Sequence, residues 1–162
     1  MALIPIHALL EQTVAELQRF LAMIATERQA LVSGDINQLS GIVEEKSALA
    51  TRLASLEAQR ENALHEAGFA TGSEGVDGWL AANATTFALP ATTAIPMVWQ
   101  QLITLAAEAK RENEINGKLI GARMQQNQQA LGLLLGESAD TTTYDAGGQQ
   151  KSTAGRRPLG SA

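Results

Sequence analysis

Cysteine is missing altogether, and histidine occurs only as His7 and His65. The first absence excludes disulfides, thiolate metal sites and thiol catalysis, and it accords with a reducing compartment. Neither histidine has a partner at ligand spacing, so no metal and no imidazole base is expected. There is no phosphate-cradling glycine loop and no G-x-S-x-G elbow. Glu44-Glu45 and the Glu57/Glu61 pair are the nearest approach to paired carboxylates, and they read as solvated helix faces. The chain is therefore not expected to be an enzyme or to carry a cofactor.

A basic patch is lacking too. The net charge is −5, with acids and bases spread along the chain, which argues against general affinity for nucleic acid or anionic lipid. The opening MALIPIHALLEQ has no basic n-region, and its apolar run is too short for a signal peptide. No stretch approaches the length of a membrane span. These features predict a cytoplasmic protein. Aromatic residues make up 4% of the sequence, so leucine and alanine, both helix formers, supply most of the apolar surface.

What is present is helical periodicity. Leu3, Leu10, Leu17, Ile24 and Leu31 fall seven apart, with Ile6, Val14, Phe20 and Leu21 beside them, the pattern of a helix seeking a partner. Pro5 suits its first turn. Ser33-Gly34-Asp35 then supplies a helix end and a new cap, with Gln38 three residues on completing a capping-box pattern. The line resumes as Leu39, Ile42, Lys46, Leu49, Leu53, Leu56, Arg60 and Ala63. So short a connection predicts a helical hairpin. Lys46 and Arg60 on that line read as long stems lying over the core with their charges in water. The alternative is a buried ion pair that sets register, with a carboxylate from the third helix.

From Gly68 to Pro96 glycine and proline accumulate, as expected of a crossover with a short helix from Val76 to Ala84 carrying Trp79 and Leu80 inward. A third long helix begins at Ile95 or Met97. Its heptad lines run Trp99, Ala106, Asn113, Ile120, Asn127, Leu134 and Leu102, Ala109, Asn116, Arg123, Ala130. Amides interrupt a line that packing alone would keep apolar. Asn113 and Asn116 read either as a polar layer fixing register or as a surface awaiting another chain. Gly117 and Gly121 suggest close helix packing. Gln125 to Gln129 add nothing to a core, and the leucines from Leu131 to Leu135 follow. These leucines are either a frayed end folded back or a hydrophobic patch for a partner helix. The polar tail contains one tyrosine, Tyr144, incidental or an anchor.

The expected fold is all-α: an antiparallel bundle of three long helices with a short crossover helix and a flexible C-terminal tail. The bundle spans residues 1–136, with helices at about 5–32, 36–67 and 96–135 and a crossover at 68–95, and the tail covers 137–162.

In several blocks the sequence resembles the FlgN family of flagellar export chaperones. They are the long first helix, the Gly34-Asp35 break followed by Lys46 and Arg60, and Asn113-Glu114-Ile115-Asn116-Gly117-Lys118-Leu119-Ile120. Tyr144-Asp145 with a following glycine completes the set. The family motif corresponds to Asn113, Asn116, Gly117 and Ile120. The resemblance implies binding of the hook-filament junction proteins FlgK and FlgL before secretion, and delivery to the type III export gate through its component FlhA. It maps client binding onto Ile120, Met124, Leu131, Leu134 and Leu135, and gate docking onto Tyr144. A homodimer through the C-terminal helix is compatible with the same patch. The alternative function is a structural coiled-coil or oligomerisation module without client delivery.

Overall fold

The computed structural model describes residues 5–87 and 94–134. All regular structure among them is helical: α1 (Ile6–Ser33), α2 (Ile36–Glu66), α3 (Gly72–Ala82), α4 (Ala84–Phe87) and α5 (Ile95–Leu134). No helix among the described residues is long and apolar enough to cross a membrane. Two compact units are distinguished, residues 1–121 and 122–162.

In the first unit, α1 and α2 pack against each other as a hairpin closed by two residues. Gly34 adopts the left-handed conformation (φ 76°), and its N–H donates to the Ala30 carbonyl, ending α1. Asp35 then caps α2, its carboxylate accepting from the Gln38 N–H at 3.2 Å. The heptad line of α1 is buried at Leu10, Leu17, Ile24 and Leu31, and that of α2 at Ile42, Leu49, Leu56 and Arg60. The apolar ones form the core with Leu64, Val76, Trp99, Leu102 and Ala109. Burying each large aliphatic side chain contributes roughly 1.5–3 kcal/mol.

The segment after Ala67 is more helical than its glycines suggest. Helix α3 starts at Gly72, four residues before the expected Val76, and α4 follows it after one residue. The early start has a cause outside the segment, since Glu61 on α2 accepts the Gly72 N–H at 2.8 Å. This carboxylate satisfies one of the amides that a helix N-terminus leaves open. Gly75 lies so close to the preceding chain that a Cβ would fall 1.8 Å from the Ala70 carbonyl oxygen. Val76 is fully buried, while Trp79 and Leu80 pack half-buried against the core. The Trp79 ring meets Phe87 at 5.1 Å between centroids. Helix α3 is tied to α5 where the Trp99 indole N–H donates to Asp77 at 2.8 Å.

In the second unit, the described residues 122–134 are the last turns of α5, and every one except Gly132 is exposed.

Candidate functional site

Two surfaces of α5 matter, one buried and one open. The buried one centres on Asn116, which has no exposed surface. Its amide nitrogen donates to the Ile24 carbonyl and to Glu27 Oε2, both at 2.8 Å, and its oxygen accepts from Arg28 Nε at 2.9 Å. The reverse amide orientation would set oxygen against a carboxylate and nitrogen against a guanidinium, so chemistry fixes this one. Glu27, 2% exposed, also receives the Lys46 ammonium at 2.8 Å on the same oxygen. Arg28 extends the network to α5, donating to the Glu112 carbonyl at 3.2 Å and pairing with the Glu112 carboxylate at 2.6 Å. The Arg28 hydrogen bond leads a set of contacts, with Arg28 and Arg111 charge, that hold the Glu112 carboxyl below its ordinary value despite some desolvation. One carboxylate, Glu27, and one amide, Asn116, thus fasten three helices at a single level.

This network revises two readings. Lys46 is more than a stem with its charge in water: its side chain, 19% exposed, pairs with the buried Glu27 of α1 rather than with a carboxylate of the third long helix. Arg60 is buried as well. It pairs with Glu61 at 2.9 Å and Glu57 at 3.6 Å, and its guanidinium carbon lies 5.9 Å from the centre of the Trp99 ring. Glu61 is accordingly not a solvated carboxylate. Burial pushes its pKa up, but the Arg60 hydrogen bond, the Gly72 N–H and the Arg60 charge outweigh that and hold it below the ordinary value. Glu57 remains largely in water. Glu27 and Arg28 escaped sequence reasoning, although a signal existed. Ile6, Thr13, Phe20 and Glu27 fall seven apart, which puts the acid on a packing line.

The expected polar layer divides. Asn116 belongs to it, whereas Asn113 is exposed. Gly117 and Gly121 do not mark close packing, because a Cβ on either would meet no atom within 4 Å. Glu114 and Lys118, four residues apart on α5, form no ion pair with each other.

The open surface follows. Ile120 is 37% exposed, Met124 58%, Leu131 56% and Leu134 82%. Leu133 is equally open. Leu135 and Tyr144 lie outside the described residues. Residues 115–134 contain Lys118 and Arg123 and no acid. Both histidines are exposed, and no cluster of metal-ligating side chains occurs among the described residues.

Among the described residues the scaffold is all-helical, its buried Asn116 and Glu27 are held by hydrogen bonds within the chain, and large apolar side chains toward the end of α5 stay exposed. The sequence profile of the family described as FlgN protein matches residues 1–152. The chain belongs to the FlgN family, and its general role is that of a flagellar export chaperone. That family is one of chaperones, not enzymes. No curated protein and no solved structure gives a significant match.

Proposed function

We propose that this chaperone binds the C-terminal helices of the junction proteins FlgK and FlgL in the cytoplasm and hands them to the export gate component FlhA. Helices α1, α2 and α5 form an antiparallel three-helix bundle that serves as the handle. Ile120, Met124, Leu131, Leu134 and Leu135 form the client face, and Tyr144 serves gate docking. One observation carries the reading: large apolar side chains of α5 remain in water where a helix confined to packing would be polar. Exposed apolar clusters of this kind mark docking surfaces, and an amphipathic helix laid on such a face is a standard recognition mode.

The test is co-purification of FlgK and FlgL with the full chain and with a Leu131→Glu, Leu134→Glu variant. The variant should fold and lose both clients. Retention of either client at wild-type level would move the binding face elsewhere. Tyr144→Ala should keep the client complex and weaken capture by FlhA; loss of the client in that variant would contradict the assigned role.

A further inference from the structure

We propose that the cleft between α2 and α5 is a second docking groove, for an amphipathic helix of another protein. That helix sets bulky apolar side chains between the two walls, a cation against Glu57 and a carboxylate against Lys110. The groove is a different surface from the end of α5 and needs no part of the reading given to Leu131 and Leu134.

The cleft, about 390 Å³, has alanine on both sides, Ala50 and Ala54 on α2 and Ala106 on α5, and reaches down to Leu17 and Phe20 of α1. Three helices packed closed would bring these walls together, yet Ala50, Ala54 and Ala106 are all exposed. The walls continue past the cleft. Ile36, Val43 and Ala50 fall seven apart on α2, and Ile120 stands two heptads after Ala106 on α5. Ile36, Val43 and Ile120 are exposed as well. Two open apolar lines at heptad spacing, with a third helix as the floor between them, have the shape of a vacant helix position. Because the walls are small, the occupant supplies the bulk.

Helix α3 shows what these walls accept, because it already docks on their next turns. Glu61, four residues after Glu57, takes the Gly72 N–H of α3, and Trp99, one heptad before Ala106, gives its indole N–H to Asp77 of α3. So α3 meets the α2 wall with a donor and the α5 wall with a carboxylate. The open groups along both walls have the same needs. Glu57 lines the cleft with its side chain 68% exposed, and its one ion pair is a 3.6 Å approach to Arg60, which Glu61 already holds at 2.9 Å. Lys110 stands one turn after Ala106, about 40° round α5 toward the rim, and its ammonium meets no carboxylate among the described residues. Glu114, a turn further on, has rotated about 80° from Ala106 and leaves the groove. A helix with one basic and one acidic edge matches both walls, in the manner of a helix laid into a groove.

The experiment measures fluorescence anisotropy with three labelled synthetic helices of three heptads, all with leucine core positions. The first has arginine along one edge and glutamate along the other, the second glutamate on both edges, the third arginine on both. The full chain carries Leu131→Glu throughout, so that the end of α5 takes no part. The mixed helix should bind about tenfold tighter than either uniform one. Glu57→Lys should transfer the preference to the all-glutamate helix, and Lys110→Glu to the all-arginine helix. Ala54→Phe, which fills the cleft from an exposed position, should abolish binding of all three; if that variant does not fold, the two charge variants decide. Absence of binding by every helix would overturn the proposal, as would binding that Ala54→Phe leaves unchanged. Equal binding of the three helices, unmoved by Glu57→Lys and Lys110→Glu, would overturn the chemistry assigned to the occupant. Concentration-dependent self-association of the chain alone, removed by Ala54→Phe, would give the cleft to a second copy and overturn the proposal too.

Discussion

Replacing Lys46 with methionine keeps the stem and removes the charge that Glu27 faces. The Glu27 carboxylate has a side chain only 3% exposed, and after the change its one remaining donor to Oε2 is Asn116. Removing one partner of a buried ion pair costs about 3–5 kcal/mol. The lower end, about 3 kcal/mol, applies here because the asparagine donor survives. Glu27→Gln should cost less, about 1–2 kcal/mol. The amide oxygen still serves Asn116, and the Lys46 side chain, 19% exposed, retains access to water. The double variant should be less destabilised than the sum of the two, with a coupling of about 1–2 kcal/mol. Urea unfolding followed by circular dichroism measures all three at constant m-value. Equal effects below about 0.5 kcal/mol in both single variants would refute the reasoning, because Glu27 would then be solvated and the network unimportant to packing.

Gly75→Ala should destabilise by about 1–3 kcal/mol, the cost of overpacking against a neighbour that cannot move freely, as read by a shift in the urea midpoint. Gly117→Ala and Gly121→Ala should instead each stabilise by about 0.5–1 kcal/mol, since the added methyl meets open space and a helical glycine is relieved. Glu61→Gln should make stability less dependent on acid. The folded pKa of Glu61 is depressed from 4.5, so its contribution is complete above 4.5 and is lost as pH falls through the lower folded value. The melting temperatures of wild type and variant should therefore differ at neutral pH and converge in acid. A gap that widens as pH falls would reverse the assigned sign.

The apolar periodicity made the hairpin legible. Leu10, Leu17, Ile24 and Leu31 are buried where a seven-residue repeat puts them, and Asp35 caps where its spacing to Gln38 indicates. Features that depend on contacts between distant residues were not legible. The start of α3 is set by Glu61, eleven residues earlier in the chain, and by a backbone approach at Gly75 that only glycine permits. Lys46 illustrates a further gap, because a long cationic stem on an apolar line serves snorkelling and burial equally well until its partner is known. Here the partner, Glu27, was itself hidden among the polar residues of α1. Gly117 and Gly121 misled for a related reason: lack of a side chain permits close approach but does not require it. In the candidate site, the amides of Gln125 to Gln129 correctly signalled a helix that stops building core, and every one of those residues is exposed.

In the proposed function, folding and client binding reside in different parts of one chain. Calorimetric titration of FlgK into the full protein and into a chain ending at Gln129 tests it most directly, with the unfolding free energy of each measured alongside. Truncation should leave stability within about 1–2 kcal/mol while binding disappears. Undiminished binding by the shortened chain would place the client face before Gln129, and its failure to fold would place Leu131 to Leu135 in the core.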